Sequence, residues 1–173
     1  MPYLTINIVN RETPVFNPKT GNVELSFAGH MWYTIQQDTN SIPTSYGFAP
    51  LKEGTFDGPG GVNPHGSDSA NYVINPSDGD YTSQKIYITQ QEYDKLNRFG
   101  KNPFSDEFKF DSKYNGLYNS CIDFTWAALA KAGLTPTING KFFQGDVIPV
   151  TSSPIRFDLI HKKVKPFPQA FYY

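Results

Sequence analysis

The chain contains a single cysteine, Cys121, and its position suggests chemistry. It follows Ser120 at the first turn of the apolar run Ser120 to Ala132, which reads as a helix. At a helix start, unpaired backbone N–H groups and the positive end of the dipole converge and favour a thiolate. A cysteine so placed has a lowered pKa and acts as a nucleophile at neutral pH. The competing reading is a small buried hydrophobe, the usual state of a free cysteine. A thiol nucleophile needs a base, and there are three histidines, His30, His65 and His161. His30 lies in the strand-like run Ala28-Gly29-His30-Met31-Trp32, where a backbone beside a small residue can hold it toward a helix packed on the sheet. His65 stands in the Gly/Pro-rich segment Asn63-Pro64-His65-Gly66 and reads as a surface residue. His161 abuts Lys162 and Lys163 and reads as an exposed strand end.

The elements that must position these groups are legible in outline. Tyr3 to Val9 has the β-branched alternation of a strand. In Val23 to Gln36, Met31, Tyr33 and Ile35 alternate with His30, Trp32, Thr34 and Gln36, so the two sets face opposite sides of a strand. Gln36 shares the face of His30 but lies six residues on, about 20 Å along the strand, out of reach. Ser45 to Phe48 reads as the returning strand of a hairpin, and Lys85 to Ile88 as a short strand. Thr89 with Glu92 forms a capping box for a first helix, with Gly100 as its stop. Ser120 with Asp123 forms another for the second helix, which Gly133 ends. That second helix is apolar nearly all round and is the buried one, and Asp123 is a capping carboxylate. Ala49 to Asp80 is a long Gly/Pro/Asn/Asp loop. Its carboxylates, Asp57, Asp68, Asp78 and Asp80, fit no EF-hand spacing and read as a solvated loop or groove wall. Asn102 to Tyr118 reads as irregular, and Asp146 to Val150 and Ile155 to Ile160 as further strands. The expected fold is α+β in one domain, residues 1–173: an antiparallel sheet packed on a buried helix bearing the cysteine.

Composition excludes several classes. A net charge of −1, from 15 basic and 16 acidic residues, gives no bulk field for nucleic acid or anionic lipid. The most basic run, Arg156 to Lys165, reads as a solvated edge. Aromatic residues at 16% supply ample material for a core, which argues against disorder. One cysteine permits neither an internal disulfide nor a Cys-based zinc site, and no metal or cofactor is expected. The first 20 residues lack an apolar signal core, and no transmembrane run of about 20 apolar residues occurs. The expectation is synthesis in the cytoplasm, with any action outside it requiring another route of delivery.

The run Asn115-Gly116-Leu117-Tyr118-Asn119-Ser120-Cys121-Ile122-Asp123-Phe124 resembles the approach to the nucleophile in papain-like thiol enzymes. In those, an amide side chain six residues before the cysteine and the cysteine's own N–H form the oxyanion hole; the resemblance puts Asn115 in that place. Here the histidine precedes the cysteine. That order resembles the circularly permuted branch of the papain-like/NlpC-P60 superfamily, which includes lecithin:retinol acyltransferase-like proteins. The segments Ser45-Tyr46-Gly47-Phe48-Ala49-Pro50 and Tyr118 to Trp126 also resemble bacterial proteins associated with type VI secretion. The likeness covers roughly residues 23–135. It implies Cys121 and His30 as the catalytic pair and a polar orienting group on the return strand, where Ser45 is the nearest in position. It also implies Asn115, Tyr118 and Asn119 as the oxyanion and substrate-binding set.

Two functions from different classes follow. The first is a cysteine amidase or peptidase acting on peptidoglycan stem peptides, as an antibacterial effector. It would be secreted into a target cell's periplasm, with an immunity protein and a secretion-apparatus component as partners. Lipid acyl transfer or phospholipid hydrolysis is the rival chemistry on the same fold. The second is a non-catalytic module, in which Tyr72, Tyr81, Tyr114 and Tyr118 line a groove for glycan or protein.

Overall fold

The computed structural model describes residues 1–9, 13–25, 29–72, 81–116, 118–134, 137–138 and 141–142. The possible strands at Asp146 to Val150 and Ile155 to Ile160, and His161, lie outside these residues. In chain order come β1 (Tyr3–Val9), β2 (Pro14–Asn17), β3 (Asn22–Leu25), β4 (His30–Gln36), β5 (Thr44–Tyr46), β6 (Phe48–Pro50) and β7 (Asp57–Val62). Then follow α1 (Asp68–Asn71), β8 (Tyr81–Tyr87), α2 (Gln90–Lys101), β9 (Lys113–Asn115), α3 (Cys121–Ala132), β10 (Thr137–Ile138) and β11 (Lys141–Phe142). The fold is mixed α+β with antiparallel sheets and two long helices.

The main sheet has the order β5-β4-β1-β8, all antiparallel. β1 lies inside the sheet: Leu4, Ile6 and Ile8 on one face are shielded from solvent, and Asn7 and Val9 are buried on the other. The alternation in β4 resolves as the pattern requires. Met31, Tyr33 and Ile35 join the core cluster with α2 and α3 residues; Tyr33 stacks on Phe124 at 6.0 Å and donates its hydroxyl to Leu96 O at 2.9 Å. His30, Trp32 and Thr34 therefore occupy the other face. That face is covered by the segment carrying α1, which meets His30, Trp32 and Thr34 through Asp68 and Ser69.

Both long helices start as their capping boxes dictate. Thr89 and Glu92 close the first turn of α2, and Ser120 and Asp123 that of α3. Asp123 Oδ2 accepts from Ser120 N at 2.7 Å and from Ser120 Oγ at 2.8 Å. Gly133 ends α3 with φ 91°, a left-handed conformation that glycine adopts without steric cost. Phe124 is the hub of the core, fully buried, with its ring 5.2–6.0 Å from those of Phe99, Phe110, Phe48 and Tyr33. α2 runs through Gly100 to Lys101, so Gly100 is not its stop. A Cβ there would lie 2.3 Å from Tyr46 Cγ, so this glycine lets β5 press onto the helix.

The long loop is more structured than composition implies. Phe48 continues into β6, which pairs with β7, and β7 pairs with β9. β2 and β3 form a separate hairpin. Among the described residues, no helix is long and apolar enough to cross a membrane.

Candidate active site

His30 opens β4, and its side chain is 9% exposed. Nε2 donates to Asp68 Oδ2 at 2.9 Å. The partner comes from α1, 38 residues along the chain. The ring belongs to a triangle of near-parallel rings, with 5.8 Å between centroids to Trp32 and to Tyr72 and 5.3 Å between Trp32 and Tyr72. With Nε2 committed to the carboxylate, Nδ1 is the nitrogen left to exchange a proton with a nucleophile.

Burial alone would lower the His30 pKa, by disfavouring the charged ring. The Asp68 carboxylate and its hydrogen bond, with Tyr72 and Cys121 nearby, outweigh that and hold it well above 6.5. The fold thus favours imidazolium. A group raised on folding contributes stability that is complete below the unfolded value near 6.5 and is lost as pH rises through the folded value. Unfolding free energy is therefore expected to decline as pH is raised above about 6.5. Urea titrations at several pH values, in wild type and His30→Gln, check this. A wild-type profile that matches the variant's across that range would refute it.

Cys121 stands at the first turn of α3 with Ser120 as N-cap, as the sequence predicts. Its thiol is 2% exposed and belongs to the core cluster. It acts electrostatically on His30 and on Tyr114, while among the described residues it makes no hydrogen bond to His30. Burial pushes the Tyr114 hydroxyl up, with contributions from Cys121, Tyr72 and Asp123, so Tyr114 is neutral at physiological pH.

Ser45 does not reach the histidine. It pairs with Thr34, four residues further along β4, and its hydroxyl meets Thr34 Oγ1 at 2.9 Å and Ser69 Oγ. The orienting place expected of it is filled by Asp68. The set Asn115, Tyr118 and Asn119 forms the turn between β9 and α3. Asn115 Oδ1 accepts from Tyr118 N at 3.1 Å, and Asn119 Nδ2 donates to Asp111 O at 2.8 Å and Lys113 O at 2.7 Å. Tyr118 is 76% exposed. These carboxamides shape the turn that delivers Ser120 and Cys121 to the helix start. His65 is not a loose surface group: Nε2 donates to Pro50 O at 2.8 Å and Nδ1 lies 3.3 Å from Glu53 Oε1.

A cavity of about 330 Å³ opens onto His30, Asp68, Tyr72 and Tyr114. One wall is the β2–β3 hairpin, through Phe16 and Leu25; the other carries Pro50, Glu53, Phe56 and His65. Cys121, Ser45, Asn115, Tyr118 and Asn119 are not among its lining residues. Among the described residues, no group of three or more His, Cys, Asp or Glu is arranged to hold a metal ion.

Gly47 backs the pair. A Cβ at this position would lie 1.8 Å from Asp68 Oδ2 and 2.8 Å from His30 Nε2. Asn63 fixes that backbone: Oδ1 accepts from Gly47 N at 2.9 Å, Nδ2 donates to Ser45 O at 2.8 Å, and its own N donates to Gly47 O at 2.8 Å. Gly47 and Asn63 carry no periodic signal that marks them as site residues, while Asp68 and Tyr72 are legible as groove residues but not as the partners of His30, which they meet only across tens of residues of chain. No protein-family model matches the chain, and neither a curated protein nor a solved structure matches it.

Proposed function

We propose that the protein is a cysteine hydrolase of the permuted papain-like type that cleaves an amide bond, with peptidoglycan stem peptides as substrate, and acts as a secreted antibacterial effector. The observation that carries this reading is the His30–Asp68 pair at 2.9 Å, held in the field of a helix-start cysteine. In this mechanism Cys121 is the nucleophile and His30 carries the proton. Sγ attacks the amide carbonyl, and the Cys121 N–H at the helix start stabilises the oxyanion. His30 Nδ1 gives its proton to the leaving amine, then takes one from the water that releases the acyl group. Asp68 keeps the ring oriented throughout.

Two observations favour other readings. The burial of Cys121, at 2% exposure, favours a packed thiol in a non-catalytic binding module. The apolar hairpin face, with Phe16 39%, Val23 59% and Leu25 66% exposed, favours a lipid acyl substrate. The test is compartment-dependent killing together with digestion of purified peptidoglycan. A bacterium should tolerate the chain in its cytoplasm, and should swell and lyse when the chain carries a periplasmic signal. Cys121→Ala should be harmless in both places, and mass analysis should show new stem-peptide termini with the wild type alone. Equal killing from both compartments rejects the cell-wall substrate and supports lipid chemistry. No killing and no new termini reject hydrolysis and support the binding module.

A further inference from the structure

A single helical turn cannot hold itself in place. α1 is four residues long, and its N-cap Ser67 makes no side-chain capping bond. Nucleating one turn is unfavourable in isolation. Yet Asp68, its first residue, must keep a 2.9 Å bond to His30. What ties α1 to the sheet lies one residue on. Ser69 Oγ accepts from Trp32 Nε1 at 2.9 Å and meets Thr34 Oγ1 at 3.2 Å as well as Ser45 Oγ. Thr34 Oγ1 and Ser45 Oγ are themselves 2.9 Å apart, so the three hydroxyls close a ring.

The ring satisfies a strict count. A hydroxyl has one hydrogen to donate and two lone pairs to accept with. Around the ring each donates once and accepts once. The second lone pair of Thr34 takes Asn7 Nδ2 at 3.2 Å, and that of Ser69 takes the Trp32 indole. Both outside groups are obligate donors, so neither can replace a missing hydroxyl as acceptor. Such a cycle polarises its members cooperatively, so each bond strengthens the others. Ser69 is an exposed residue, so the ring is the fastening between a surface turn and a buried strand.

We propose that the Thr34–Ser45–Ser69 hydroxyl ring is the positioning device that sets the Asp68 carboxylate against His30. Ser45 then serves the site from β5, opposite Thr34, through Ser69 and without touching the imidazole. The activity readout rests on the thiol reading above; the imidazole readout does not.

The experiment follows the His30 ring by NMR pH titration, assigned with His30→Gln, alongside kcat on peptidoglycan fragments. Ser69→Ala is expected to lower the His30 midpoint by at least about half a unit toward 6.5, and kcat by about tenfold to a hundredfold. Ser69→Thr restores both. Ser45→Ala shifts both the same way but less, since the Trp32 and Thr34 bonds to Ser69 remain. In an Asp68→Ala background, Ser69→Ala adds nothing, because the ring acts only through that carboxylate. An unchanged His30 midpoint in folded Ser69→Ala overturns the proposal, as does an undiminished effect in the Asp68→Ala background. If Ser69→Ala does not fold, Ser45→Ala decides by the same two readouts. Activity that survives Cys121→Ala sinks the thiol reading alone and leaves the midpoint test intact.

Discussion

Cys121→Ala is expected to lower kcat on the order of 10⁶-fold, as loss of a covalent nucleophile does. The fold should survive: the thiol is a small group in the core cluster, and removing it costs about 1 kcal/mol, comparable to one buried methylene. Activity and melting temperature must therefore separate. His30→Ala is expected to lose several orders of magnitude too, but by a different route. It removes the proton carrier and strands Asp68, only 16% exposed, without its partner, so stability falls as well. His65→Ala should keep its activity and lose only about 1 kcal/mol of stability, since that ring binds the Pro50 carbonyl and a rim carboxylate. The measurement is single-turnover kinetics beside urea denaturation for the three variants. A Cys121→Ala protein with wild-type turnover ends the nucleophile assignment. If the His65 variant is the inactive one, the assignment of the base is wrong.

The second large effect is expected from one methyl group. In Gly47→Ala the new Cβ would lie 1.8 Å from Asp68 Oδ2, 3.0 Å from Asp68 Cγ and 2.8 Å from His30 Nε2. Non-bonded carbon and oxygen settle above 3 Å, so the carboxylate must retreat by more than about 1 Å. With its backbone fastened next door at Ser69, the aspartate can yield only by turning its carboxylate away from His30. The Gly47 backbone cannot yield, since Asn63 holds its N–H and its carbonyl. The His30–Asp68 bond breaks instead. A displacement of that size costs about 10²-fold in rate, and overpacking costs about 1–3 kcal/mol. The variant should also lose the decline in stability with rising pH that His30 confers. Stopped-flow kinetics and pH-dependent denaturation read both. Full activity with the wild-type pH profile would show that the pair tolerates the intrusion and that Asp68 is not needed.

Local signals were the legible ones. Thr89 with Glu92 and Ser120 with Asp123 announced both long helices, because capping chemistry is complete within four residues. The alternation in β4 was equally plain, but which set meets the helices is a tertiary question. Met31, Tyr33 and Ile35 won it by burying more apolar surface against Phe124 and its neighbours. Gly100 misled because glycine serves two purposes: it was read as a stop, whereas it admits the Tyr46 ring. Asp68 was hidden among loop carboxylates, and its value arises only when the chain folds back 38 residues. Ser45 was displaced by register, since pairing with Thr34 depends on the turn between β4 and β5.

The central position of β1 has a consequence for assembly. Its first partner in synthesis is β4, with Val9 opposite His30, a short return of the chain. Its second is β8, with Tyr3 opposite Tyr87, so the other edge of β1 waits for a far longer stretch to be made. Until then that strand exposes an apolar, unpaired edge of the kind that templates aggregation. Such non-local pairing also slows folding, because the loop entropy is lost before the contacts form. The α1 segment lies within that waiting stretch, so the carboxylate can meet the imidazole before the sheet is complete. The thiol, on a helix made later still, arrives last. The order of manufacture thus keeps His30 and Cys121 apart until nearly all of the main sheet exists.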